Sequence, residues 1–133
     1  MAKLIRGPAN SGRILLADDE EMVRKAIRLI LTFGGYDITE AVDGEDAVQK
    51  YIEASPPFDL VLIDFDMPRL GGPEAVARIR RHDPQAKAIL LSGGIRSTGS
   101  ERIVFLQKPF DNQQLIGLVR ATLEADAPAE PRL

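Results

Sequence analysis

The chain contains no cysteine and no tryptophan, only one histidine, and no apolar run approaching the length of a membrane span. Each absence removes a class of function. Without cysteine there are no disulfides, no thiolate metal sites and no thiol catalysis, which fits a reducing compartment. The apolar runs are too short to cross a bilayer, and the N-terminus lacks the apolar core of a secretory signal. Lysines and arginines are scattered or paired with acids, and the formal charge is -3, so no basic stripe offers itself to nucleic acid. These features predict a cytoplasmic protein that binds neither membrane nor DNA directly. The single histidine, His82, follows Arg80 and Arg81 at a helix end and reads as a surface residue.

What is present is a regular alternation. At 133 residues and 44% hydrophobic content, the chain is one domain with a substantial core. Residues 1–12 and 125–133 are rich in Gly, Pro, Asn and Ala, without periodicity, and read as flexible tails around a domain at 13–124. Ile14 to Ala17 is a short apolar strand, and Val23, Ala26, Ile27, Ile30 and Leu31 then share one helical face that Gly34 and Gly35 end. Tyr36 to Ala41 reads as a strand. Asp43 caps a helix whose inner face is Ala47, Val48, Tyr51 and Ile52. Leu60 to Ile63 is apolar without interruption, the mark of a strand covered on both faces. After Pro68 and a turn at Gly71 and Gly72, Ala75, Val76 and Ile79 define a further helix, and Ala88 to Leu91 and Ile103 to Leu106 two more strands. Asp111 with Gln114 starts a last helix built on Leu115, Leu118, Val119 and Thr122. Strict alternation of strand and helix predicts an α/β fold with a doubly wound, five-stranded parallel sheet. One segment breaks the rhythm. Gly93 to Arg102 has three glycines and one large apolar residue, so the fourth helix is expected to be absent or degenerate.

Ligands of open parallel sheets sit beyond the carboxyl ends of the strands. The first strand delivers Asp18 and Asp19 there, the third Asp64 and then Asp66, the fourth Ser92, and the fifth Lys108 before Pro109. Several carboxylates in one crevice repel each other unless a cation neutralises them. Oxygen-only ligation suits Mg²⁺, whereas zinc would seek His or Cys. With positive charge supplied by the metal and Lys108, one carboxylate can attack phosphorus to give an aspartyl phosphate.

The segments ILLADDEE, DLVLIDFDMP, AILLSGG and FLQKPF, in this order at four strand ends, resemble the signature of the response-regulator receiver domain of two-component signalling. The resemblance implies the flavodoxin-like strand order 2-1-3-4-5. It implies that Asp64 is the phospho-acceptor, and that Asp19, the Asp64 carboxylate and the Asp66 backbone carbonyl hold Mg²⁺, with Asp18 helping through water. Ser92 falls at the switch hydroxyl, Phe105 at the aromatic rotamer switch, and Lys108 at the active-site lysine, whose bond to Pro109 is cis in this family. The implied partner is a histidine kinase or a histidine phosphotransfer protein. FLQKPF and the short crossover are similar to receivers of hybrid histidine kinases, and the uncovered face by Val104 and Phe105 suggests a homodimer. Two other functions compete. One is an aspartate-nucleophile phosphohydrolase of the haloacid dehalogenase kind, prompted by the DFD of residues 64–66, although that family places its DxD on the first strand. The other is a pseudo-receiver that binds partners without phosphate.

Overall fold

In the computed structural model, residues 12–94 and 103–125 are described. The chain order is β1 (Arg13–Ala17), α1 (Glu21–Phe33), β2 (Asp37–Ala41), α2 (Gly44–Glu53), β3 (Leu60–Asp64), α3 (Gly72–His82), β4 (Ala88–Ser92), β5 (Val104–Gln107) and α4 (Asn112–Glu124). The five strands form one parallel sheet in the order β2-β1-β3-β4-β5. The doubly wound architecture expected from the alternation is therefore present. The residues expected to be tails lie almost wholly outside the described ones. Of the crossover from Gly93 to Arg102, only Gly93 and Gly94 are described, and they form a bend; the expectation about a fourth helix otherwise falls outside the described residues.

Side chains of successive strand residues point to opposite faces, so an uninterrupted apolar strand needs cover on both. Every residue of β3 and β4 is buried. Leu15, Val61, Ile63 and Leu90 pack against Ala47 and Tyr51 of α2 and Ala75, Val76 and Ile79 of α3. Ile14, Leu16, Leu62 and Leu91 pack against Ile27 and Leu31 of α1 and Leu115 and Val119 of α4. Each large side chain buried this way contributes roughly 1.5–3 kcal/mol. Such two-sided packing holds the ends of the strands stiffly, and the functional side chains are mounted there.

Helix ends follow the sequence signals. Asp43 caps α2 by accepting from the Asp46 backbone N–H at 2.7 Å, and Asp111 and Gln114 form a reciprocal capping box on α4. Two positions depart from the predicted inner faces. Ala26 is exposed, and Ile52 is 44% exposed. On α1 the inward position is occupied instead by Arg24, which shares a face with Ile27 and Leu31 and is buried. Its partner is Glu40 of β2, which also accepts from Lys25 and Arg28. Burial alone would raise the Glu40 pKa, but its bonds to Arg28, Arg24 and Lys25 outweigh that and lower it to about 2.

Candidate functional site

Strand register brings the polar residues level with one another. Ala17 pairs with Ile63, which sets Asp18 beside Asp64; Asp64 itself pairs with Leu91, one residue before Ser92; and Ser92 pairs with Gln107, one residue before Lys108. The Lys108 backbone N–H donates to the Ser92 carbonyl at 2.7 Å, carrying the ladder one step past the end of β5. The Lys108–Pro109 bond is cis, as the resemblance implied.

The Lys108 ammonium donates to Asp64 Oδ1 at 2.7 Å. Carboxylate oxygens of Asp18, Asp19 and Asp64 lie within 4.8 Å of one another. Asp18 is fully buried and Asp64 is 7% exposed, while Asp19 is open to solvent. Asp18 Oδ1 accepts from the Glu20 backbone N–H at 2.9 Å, but its other oxygen is buried with no hydrogen-bond partner among the described residues. A buried carboxylate with one unpartnered oxygen, crowded by two other carboxylates, calls for a cation. The donors are all oxygen, the set that suits a small hard divalent ion. The Asp66 side chain is exposed and lies outside this trio.

Electrostatics point the same way. Burial raises the Asp18 pKa, and the Asp64 and Asp19 charges add to it, against the Glu20 hydrogen bond and Lys108. Burial raises that of Asp64 as well, with Asp19 and Asp66 adding, and the contact with Lys108 only partly offsets this. For Lys108, burial would lower the pKa, but Asp64, with Asp18 and Glu20, raises it, so the lysine is a fixed cation. An acid whose folded pKa lies above its unfolded value stabilises the fold only when protonated, and that contribution is lost as pH rises through the folded pKa. The charged Asp18 carboxylate is therefore a cost to the metal-free fold at neutral pH. Asp18→Asn should raise stability by about 1–2 kcal/mol in EDTA at pH 7, the size expected for relieving one unsatisfied buried polar atom. The gain should shrink on acidification as Asp18 itself becomes protonated in the wild type. Thermal melts of the two proteins across that pH range measure it, and a destabilised Asp18→Asn at pH 7 would contradict the argument.

Ser92 is 1% exposed, and its hydroxyl donates to the Gly94 carbonyl at 2.8 Å. Phe105 is partly buried and packs against Phe65, ring centroids 6.2 Å apart. The loop after β3 is clamped from two sides. A Cβ on Gly44 would come within 2.3 Å of the Leu70 carbonyl oxygen, and one on Gly72 within 2.4 Å of the Asp64 carbonyl oxygen. Two residues that matter here escaped the sequence reading: Arg24 and Gly44. Arg24 had a signal, a lone charge at the i−3 and i−7 positions of an otherwise apolar helix face.

Comparison with known proteins assigns the class. Residues 14–120 match the response regulator receiver domain. Chemotaxis protein CheY of Treponema pallidum is 34% identical over 123 residues, which cover 84% of this chain and 83% of that protein. The crystal structure of the receiver domain from hybrid histidine kinase CckA superimposes with a TM-score of 0.75 at 33% identity, covering 85% of this chain and all of that one. The receiver domain of sensor histidine kinase PA1611 from Pseudomonas aeruginosa PAO1, solved with a magnesium ion coordinated in its active-site cleft, has a TM-score of 0.77 at 23% identity over 86% of this chain and 99% of its own; that likeness speaks to the fold. The chain belongs to the response regulator receiver domain family. It is a phospho-accepting signalling module of two-component phosphorelay, a class whose partners are histidine kinases, rather than an enzyme that turns over a substrate. The phosphohydrolase reading is set aside by that membership and by the position of Asp64 on β3. No helix of the described residues is long and apolar enough to cross a membrane.

Proposed function

We propose that the carboxylate of Asp64 is the phosphoryl acceptor, and that Mg²⁺ is held by the side chains of Asp19 and Asp64 and the Asp66 backbone carbonyl, with Asp18 acting through water. The observation that carries this reading is the 2.7 Å contact of Lys108 with Asp64 beside the crowded Asp18, Asp19 and Asp64 oxygens. When bound, the ion supplies the positive charge that lets these carboxylates and the phosphoryl oxygens share one crevice. Lys108 engages Oδ1 of Asp64, leaving Oδ2 to form the bond to phosphorus. As that bond forms, the P–N bond of a phosphohistidine on a histidine kinase or histidine phosphotransfer protein breaks, and the imidazole leaves with the electron pair. The buried end of β3 fixes the direction of attack, which is most of what a loose phosphoryl transfer requires of its acceptor.

In this reading the Ser92 hydroxyl exchanges its bond to Gly94 for one to the phosphoryl group, and Phe105, resting against Phe65, turns with it. Output is by protein contact in the cytoplasm. Ile103, Val104 and Phe105 are each partly exposed, and a second copy of the chain covers this face. Sedimentation at tens of micromolar, with and without an acyl-phosphate mimic, should reveal dimer; monomer alone under both conditions overturns that contact.

Incubation with acetyl phosphate and Mg²⁺ followed by intact-mass measurement tests the central claim. The expected result is a gain of one phosphoryl group that is absent in EDTA. No gain in the presence of Mg²⁺ favours the phosphate-independent pseudo-receiver, and rapid turnover of simple phosphate esters would return the hydrolase.

A further inference from the structure

Arg24 is only 7% exposed, yet it carries a full charge on the sheet-facing side of α1. A buried guanidinium persists where its donors are engaged, and both engagements are visible. Its NH1 donates to the backbone carbonyl of Asp18 at 2.7 Å, and its Nε donates to Glu40 Oε1 at 2.7 Å. The Asp18 carbonyl belongs to the peptide that joins Asp18 to Asp19, so the guanidinium sets the tilt of the plane from which both carboxylates hang. Asp18 has two further restraints: its side chain accepts from the Glu20 N–H at 2.9 Å, and its own N–H reaches the Ala41 carbonyl at 3.4 Å. The second of these is long. Asp19 is exposed, so its direction depends on that peptide plane more than on packing.

A cation this close to an acidic cluster could instead turn into it and take the place of a metal. Glu40 opposes this by accepting from the guanidinium Nε, which leaves NH1 on the Asp18 carbonyl. Lys25 at 3.2 Å and Arg28 at 2.5 Å on its other oxygen anchor Glu40 in turn, as does Lys50, which donates to the Glu40 backbone carbonyl at 2.7 Å. Planar, forked donors suit this double task, which an ammonium cannot reproduce.

We propose that Arg24, clamped by Glu40, is a positioning residue that orients the Asp18–Asp19 peptide for divalent-cation binding. The inference rests on the Mg²⁺ site proposed above. Partners that orient metal ligands from behind are typically worth about 10–100-fold in metal affinity. Arg24→Met keeps the aliphatic stem and removes both bonds; Arg24→Lys keeps the charge and reaches one acceptor at best. Titration calorimetry with MgCl₂ alone, on protein confirmed folded by circular dichroism, should show affinity about tenfold weaker for Arg24→Met and intermediate for Arg24→Lys. Phosphoryl uptake at saturating Mg²⁺ should stay near wild type while the Mg²⁺ concentration giving half-maximal uptake rises in step. A role confined to stability would lower the melting temperature and leave the affinity unchanged. If Arg24→Met does not fold, Arg24→Lys carries the test by itself, and wild-type affinity in a folded variant overturns the proposal. Wild-type protein that binds no Mg²⁺ would overturn the site itself, whereas wild-type binding with unaffected variants overturns only the role of Arg24.

Discussion

Asp64→Asn takes up no phosphoryl group from acetyl phosphate and Mg²⁺ under conditions in which the wild type gains one: that is the expected result of intact-mass measurement. Asparagine has nearly the shape of aspartate, so the packing of β3 and the approach of Lys108 to the side-chain oxygen can survive the change. What disappears is the anionic oxygen. A neutral amide oxygen is a poor nucleophile toward phosphorus, and removing an amide proton would not restore the carboxylate oxygen. The loss should therefore be complete on the timescale of wild-type uptake, not a modest slowing. Asp18→Asn and Asp19→Asn, which leave the acceptor intact, should retain uptake at elevated Mg²⁺. If Asp64→Asn gains mass like the wild type, the acceptor is another residue, and peptide mapping would identify it among Asp18, Asp19 and Asp66.

Much of this site was legible in the linear sequence because parallel sheets deliver their strand ends to one edge. Asp18, Asp64, Ser92 and Lys108 each follow a short apolar run, and once the strand order is known the register does the rest. The two-sided burial of Leu60 to Ile63 was equally readable, since an uninterrupted apolar strand needs cover on both faces. Side-chain direction on the helices was harder. Ala26 was read as inward and is exposed, because a small residue at the margin of an apolar stripe fits either side. Arg24 was passed over because arginine is seldom buried, and only the positions of Glu40 and the Asp18 carbonyl, brought together by β1 and β2 pairing, make its burial tolerable. Gly71 and Gly72 read alike as turn residues. Their difference is a matter of tertiary contact that no local pattern encodes.

That difference has a measurable consequence at Gly72, the first residue of α3. A Cβ there would meet the Asp64 carbonyl oxygen at 2.4 Å, the Asp64 carbonyl carbon at 3.1 Å and Leu90 Cδ2 at 2.6 Å. Leu90 is a fully buried side chain with no free space to rotate into, and the Asp64 atoms are backbone at the end of the central strand. Relief requires α3 to move away from the sheet or the end of β3 to bend. Gly72→Ala gains up to about 1 kcal/mol of helix propensity, but overpacking of this kind typically costs 1–3 kcal/mol and more where backbone must shift. The net expectation is a loss of roughly 2–3 kcal/mol, lowering the melting temperature by about 10 °C for a domain of this size. Because the displaced atoms belong to Asp64 itself, the folded fraction should also take up phosphate more slowly than wild type. Gly117 is the control: it lies within α4, is exposed, and a Cβ added there meets no atom within 4 Å. Gly117→Ala should stabilise by up to about 1 kcal/mol through helix propensity alone and leave phosphoryl uptake unchanged. Opposite signs at the two glycines would tie the effect at residue 72 to close approach against the acceptor strand. Equal and small shifts at both would mean that α3 does not press on Asp64 and that the stiffness attributed to the acceptor has another source.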